Sequence, residues 1–491
     1  MAAGALLALA SACAHEPAPT PMWRGDYAIT DVAVVDVIGD NVLAARTVLI
    51  DDGKIVHVSE AGETILLAPD VIVINGRGRY LAPGLADMHV HVWDANELPI
   101  YVSYGVTTVR NMWGEDVTLS MRQGVERGEI VGPRIVTAGP IIDGAPKIWP
   151  SSVEAATPEA ARTAVRTQIE EGYDFIKVYS NLSVDSFDAV AATAREAEIP
   201  FAGHVPEAVP IRHALAAGMA SMEHLYGFDA ATLRAGVNFG SGRFSSPERV
   251  AIARQISAGE RTFDDFFDDE ALEELASEIG ATRTVIVPTL LVGRQLALTR
   301  AQARTEFERP EVAYLLPGVR QIWNPDNVFR RRQVSDEDLA ALQIYNGLAL
   351  RRVRSLYQAG AVILAGSDAP NPYVFHGLAL HEELSLLFEA GLPPVAAIRA
   401  ATSSAAAFLG ETGEWGVIAE GARADLVLLS ANPLSDVANY RAIEGVMLQG
   451  RWLDREALIS LRAASAAAFT AMETQGSIDS DDLSQTGWLD D

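Results

Sequence analysis

Residues 84–93 read GLADMHVHVW. The stretch follows an alternating apolar run and sets His89 and His91 two positions apart. Side chains two apart on a β-strand leave the same face, so the pair has the geometry of a metal clamp. The same stretch marks a change of pattern. Before it, from Tyr27 to Arg79, YAITDVAVVDV, RTVLIDDGKIVHVS and VIVING are short apolar or alternating runs between Gly, Asp and Asn, which reads as an all-β segment. After it, the apolar runs VTTVRNM, RIVTAGP, DFIKVYS, IPFAGHV, ASMEHLYG, TVIVPTL and VILAGSDAP alternate with Ala-rich stretches of helical period. Strands alternating with helices pair in parallel through crossover helices, and about eight such units close a barrel. The predicted fold class is α/β, a (β/α)8 TIM barrel.

A second all-β segment, GVIAEGARADLVLLSANP and IEGVMLQGRWLD, lies near the far end of the chain. The two are expected to meet as one small composite β-sandwich domain, residues 24–83 with 411–455. The barrel takes 84–410, with an insertion at about 229–345, part of it expected to act as a lid over the site. Residues 456–491 read as a helix and a mobile acidic tail. Residues 1–23 read as a leader and linker: MAAGALLALASAC resembles a bacterial lipoprotein signal that ends at Cys13, although no Lys or Arg precedes Arg24. The expected location is the bacterial envelope, periplasmic or lipid-anchored, with membrane attachment only through lipidated Cys13. Cys13 is the one cysteine, so no intrachain disulfide forms.

The 491 residues are 49% hydrophobic and 21% charged with a net charge of −27, the composition of a globular chain that repels phosphate backbones. Nucleic acid is excluded as a partner; a small molecule is expected, and assembly into a homo-oligomer stays open. Among the nine histidines, His204 in AGHVP and His224 in EHLYG each close a predicted strand, and Asp368 in AGSDAP closes the last one. A single histidine at a strand end is more often a hydrogen-bonded core residue than a ligand. Four histidines and an aspartate at strand ends converge on the face where barrel active sites lie. His15, His57 and His213 fall outside this pattern.

Only three of the 38 basic residues are lysines: Lys54, Lys147 and Lys177. Lys54 sits in a turn and Lys147 in a loop, whereas Lys177 sits between Ile176 and Val178 on a predicted strand. Burial drives an unpaired ammonium toward the neutral amine. A neutral amine can take up carbon dioxide as a carbamate, an anionic bridge between two metal ions, which arginine cannot do. An interior lysine paired with Asp174 or Glu207 is the plainer reading.

Taken together, LAPGLADMHVHVW, GVTTVRNMWG, DFIKVYS, AGHVP, EHLYG and AGSDAP resemble the amidohydrolase superfamily, in its imidazolonepropionase-like and prolidase-like branch, from about Tyr27 to Asp454. The resemblance implies two divalent metal ions, zinc the expected one. His89, His91 and Asp368 would hold the more buried ion, carboxylated Lys177 would bridge, and His204 and His224 would hold the second. It implies hydrolysis of a carbon–nitrogen bond in a dipeptide or N-acyl amino acid by a metal-bridging hydroxide, with Asp368 as the catalytic base. Tyr226, Arg110, Tyr179 and His376 are the candidates for substrate contacts. The same site could open a cyclic amide, a lactone or a phosphotriester. A one-metal deaminase or imidazolonepropionase would leave Lys177 without a role. From another class, the chain could be a surface lipoprotein that binds metal without catalysis.

Overall fold

A computed structural model describes residues 22–240, 246–332 and 334–474. Cys13 and the acidic tail lie outside the described residues. The first five strands are β1 (Tyr27–Asp36), β2 (Asn41–Asp51), β3 (Lys54–Val58), β4 (Ile72–Asn75) and β5 (Tyr80–Pro83). The central strands are β6 (Leu85–Val90), β7 (Val106–Asn111), β8 (Arg134–Thr137), β9 (Ile142–Asp143), β10 (Val153–Glu154), β11 (Ile176–Val178), β12 (Phe201–Gly203), β13 (Ser221–Glu223) and β14 (Val285–Val287). The last are β15 (Leu426–Leu429), β16 (Ile443–Leu448) and β17 (Arg451–Asp454).

Strands from both ends of the chain form one eight-stranded sheet, β17-β16-β15-β5-β1-β2-β3, with β4 beside β1. The link between the ends is the antiparallel pairing of β15 with β5, Leu426 opposite Pro83 and Leu429 opposite Tyr80. Alternation puts Ile29, Val48, Ile55, Leu81, Leu426 and Met447 into one apolar core. Strands distant in sheet order therefore share an interior, and Ile55 N–H donates to the Ala422 carbonyl at 2.8 Å. The sheet curls on itself around that core.

The middle of the chain is parallel α/β. β6-β7-β8 form one sheet and β10-β9-β11-β12-β13-β14 another, all in parallel register. Every residue of β6, β7, β11, β12, β13 and β14 is buried, as expected of parallel strands covered on both faces. Isolated parallel bridges join Ala138 to Phe175, Ile286 to Ile363 and Val90 to Ala369. Helices between the strands have legible ends. Helix Pro158–Glu171 starts on Thr157, whose side chain accepts from Ala160 N–H, and stops at Gly172 with φ 85°.

β14 divides the stretch 229–345. It pairs with β13, Ser221 opposite Val285, so the surplus residues form two excursions, one before and one after β14, and not one insertion. A parallel strand needs its own crossover, and helix Asp269–Gly280 supplies it. The C-terminal helix is Arg455–Thr474. Among the described residues no helix is long and apolar enough to cross a membrane.

Candidate metal centre

The parallel strands deliver the polar side chains at their carboxyl ends. His89 lies on β6 and His91 one residue past it; Lys177 is central on β11; His204 and His224 follow β12 and β13 directly. Two backbone kinks aim the set. Neighbours on a strand point to opposite faces, yet Glu223 and His224 both turn inward because His224 adopts φ 59°. Asp368 is likewise left-handed at φ 58°, and its N–H donates to the His89 carbonyl at 2.7 Å. Each such residue costs roughly 1–2 kcal/mol, strain of the kind found at functional sites.

His89 is fully buried, and its Nδ1 lies 2.7 Å from Glu223 Oε2. The carboxylate can only accept, so Nδ1 carries the proton and Nε2 presents its lone pair. Nε2 has no hydrogen-bond partner among the described residues and stands 3.3 Å from Asp368 Oδ1. Two electron-pair donors facing at that distance repel unless a cation lies between them. His91 Nε2 is 2.9 Å from the same oxygen, and ligand atoms of His89, His91 and Asp368 all fall within 4.8 Å of one another. The donor set, two imidazoles and a carboxylate, suits a divalent transition metal.

The second group flanks the first. The His204 ring is 4.8 Å from that of His224, which is 4.6 Å from that of His89. His204 Nδ1 is 2.8 Å from Ser180 Oγ, and His224 Nδ1 is 2.6 Å from Thr289 Oγ1. Burial, with Lys177 nearby, holds His89 and His204 well below the ordinary imidazole range. Burial also pushes His224 down to about 3, against the attraction of Asp368. All three are neutral, the state a metal requires of histidine. Lys177 is 1% exposed, and burial brings it down to about 8 although Glu223 and Asp368 pull it up.

These residues line one cavity of about 240 Å³, with Tyr179, Tyr226 and the tryptophans 93, 113 and 149 in its wall. Trp149 Nε1 donates to the Tyr179 hydroxyl at 2.8 Å. Arg110 and His376 lie elsewhere. Arg110 points into the strand interior below the metal ligands and is spent there: Nε donates to the Met88 carbonyl at 2.6 Å, Nη1 to Ser221 Oγ at 2.9 Å and Nη2 to Glu223 Oε1 at 2.8 Å. Each of its three nitrogens donates there and it lies outside the cavity, so it is not placed to hold a substrate carboxylate. His376 is buried outside the cavity, 3.5 Å from Glu97 Oε1, because the chain turns away after Asp368 through Tyr373 at φ 65°. His57 pairs with Glu420 and His213 with Asp188 near the surface.

Two buried carboxylates went unnoticed in the sequence. Glu223 is fully buried and orients His89; its signal is the Glu immediately before the histidine in EHLYG. Asp87 accepts from Ser367 N at 2.8 Å and Oγ at 2.6 Å, tying β6 to the Asp368 turn, and burial raises it to about 7.

Residues 329–453 match the model of the Amidohydrolase family. Over 72 residues the chain is 42% identical to an imidazolonepropionase of Stenotrophomonas maltophilia (strain R551-3), which is 14% of this chain and 16% of that relative. Among solved structures it is similar to a bottromycin amidohydrolase, with 26% identity, a TM-score of 0.71 and 90% of each chain covered. It also shares the fold of a Xaa-Pro dipeptidase with methionine bound in the active site, at 21% identity and a TM-score of 0.60, covering 87% of this chain and 99% of that one. The amidohydrolase-family match of residues 329–453 and the similarity to the bottromycin amidohydrolase agree with the resemblance carried by the motifs. The names of these similar proteins agree with the expectation of an enzyme.

Proposed function

We propose that this protein is a binuclear metal-dependent amidohydrolase that cleaves the amide or peptide bond of a dipeptide or an N-acyl amino acid. The observation that carries the reading is the buried His89 Nε2, made an electron-pair donor by Glu223 and held 3.3 Å from Asp368 without a hydrogen. His89, His91 and Asp368 would hold one ion, and His204 and His224 a second. Lys177 as its carbamate would bridge them: the neutral amine adds to carbon dioxide, a C–N bond forms and one proton leaves. When bound, two zinc ions supply a water of lowered pKa and polarise the scissile carbonyl. Asp368 takes a proton from the attacking water and delivers it to the departing amine. The Trp113–Trp149 pair, with ring centroids 5.2 Å apart, and Tyr179 exclude bulk water on one side.

The same reading takes the two parallel sheets and the segment from Ile363 to Ala369 as one closed (β/α)8 ring. The three isolated bridges support it, since each falls where two neighbouring members of such a ring must meet. Residues 24–83 and 411–455 then form the composite β domain, and 84–410 the catalytic domain. The prolidase-like relatives, one of them with methionine in its active site, favour an amino-acid derivative as substrate. For location we propose export and lipid attachment at Cys13, on the lipoprotein-like sequence alone.

The test is amine release by zinc-loaded protein with bicarbonate, across a panel of dipeptides and N-acyl amino acids, with Asp368→Asn as the blank. Turnover confined to one class of C-terminal residue is expected. A silent panel from protein that binds two zinc ions refutes the dipeptide and N-acyl amino acid reading and moves the search to lactones, cyclic amides and phosphotriesters.

A further inference from the structure

The cavity carries a positive charge, away from the histidines, that its own acids do not cancel. Asp229, five residues past His224 and in the first turn of helix Phe228–Thr232, lines it together with Arg249 and Arg352. One carboxylate serves both guanidiniums: Arg249 Nη2 donates to Oδ2 at 2.5 Å and Arg352 Nη2 to Oδ1 at 2.6 Å. Their flat faces are covered, Arg249 by Phe239 at 4.4 Å and Arg352 by Phe267 at 5.4 Å. Burial raises the proton affinity of Asp229, but Arg352 and Arg249 outweigh it and hold the carboxyl below its usual range. Asp229 is therefore ionised and the trio has a net charge of about +1.

Each guanidinium has five N–H donors. Among the described residues, the Nε of both arginines is buried with no acceptor, and the side chains are only 15% and 7% exposed. The Nε groups are closed to the cavity, so an incoming anion would meet the Nη edges, and it would compensate a charge largely withdrawn from water. The other cations in the cavity wall are not available for that. Lys177 lies among the metal ligands, and Arg294 is ion-paired with Glu389 at 2.9 Å.

We propose that Arg249 and Arg352, braced on Asp229, take the free carboxylate of the substrate and so restrict the protein to amides that end in an anionic group. The inference rests on the reading that this cavity holds an N-acyl amino acid or a dipeptide. Guanidinium edges match a carboxylate in two parallel hydrogen bonds, whereas a carboxamide of the same shape leaves the positive charge uncompensated.

The probes are N-acetyl-L-phenylalanine and N-acetyl-L-phenylalaninamide, titrated calorimetrically into zinc-loaded Asp368→Asn protein. The acid is expected to bind about 10- to 100-fold more tightly than the amide, the range of a charge-assisted contact. Adding Arg249→Gln is expected to reduce that preference at least tenfold, and Arg249→Lys to keep part of it. Equal binding of the two probes, binding of neither, or a preference undiminished by Arg249→Gln overturns the proposal. The probe comparison leaves the arginines intact, so it decides even where Arg249→Gln does not fold. Wild-type protein that binds the acid selectively yet releases amine from no substrate refutes the hydrolase reading and leaves this subsite standing.

Discussion

Replacing Glu223 by Gln tests the chain of contacts that sets the His89 tautomer. Glu223 accepts from Arg110 and Ser221 on Oε1 and from His89 on Oε2, and both it and Arg110 are at most 1% exposed. Gln keeps the volume, removes the charge and turns one acceptor into a donor, so either His89 Nδ1–H or Arg110 meets another N–H. Removing one partner of a buried ion pair costs about 3–5 kcal/mol. With an unfolding entropy of about 2 cal/mol/K per residue over 491 residues, 3 kcal/mol corresponds to a fall in Tm of about 3 °C. Loss of the group that orients a metal-bound histidine weakens metal affinity about 10- to 100-fold. Calorimetric melting of the metal-free protein and zinc competition against a chelator read the two effects separately. In a His89→Ala background the same change should cost no further zinc affinity, because Glu223 acts through that ring. Zinc affinity within twofold of wild type, with unchanged melting, would refute the reasoning.

Asp368→Asn should lower kcat by about 10²- to 10⁴-fold while the protein still binds zinc; undiminished turnover would exclude Asp368 as the base. Lys177→Ala should bind one zinc fewer per chain, read by elemental analysis after loading with bicarbonate present, and equal zinc content would remove the carbamate bridge. Glu383 is fully buried, accepts from the N–H groups of Leu290 and Leu291 at 2.9 Å each, and is pushed up to about 8 by burial. A carboxyl whose folded pKa lies above its unfolded value contributes stability that is full below about 4.5 and is lost as pH rises through about 8. The Tm of wild type relative to Glu383→Gln should therefore fall between pH 5 and 8, and parallel melting profiles would contradict this. Chelation of bound metal should lower Tm by about 3 °C at a metal excess of 100-fold over Kd, from a linkage term of about 2.7 kcal/mol; a melting curve indifferent to chelator would argue against a metal that favours the folded state.

The candidate ligands were legible because strand periodicity and residue chemistry are both local. His89 and His91 share a face by spacing alone, and His204, His224 and Asp368 each close an apolar run short enough to read as a buried strand. The scarcity of lysine singled out Lys177, and its burial in β11 agrees. Substrate contacts were another matter. Arg110 and Tyr226 look alike in sequence, each a polar residue beside a predicted strand end, yet Arg110 is consumed by Met88, Ser221 and Glu223 while Tyr226 faces the cavity. TVIVPTL already reads as a strand inside the stretch 229–345, but only the pairing of β14 with β13 shows that the surplus residues divide into two excursions around it.

The sequence by itself determined the parallel α/β class, the antiparallel β segments at both ends and the identity of the groups able to hold metal, since each depends on residues a few positions apart. Tertiary structure alone decided which of those groups face one another. Glu223 fixes the proton on a histidine 134 positions away, and Asp229 gathers Arg249 and Arg352 from 20 and 123 positions away. Such partners share no spacing that a pattern could reveal. They meet because side chains buried with charge must find their opposites somewhere in the fold, and the packing of the strands and the helices between them determines where.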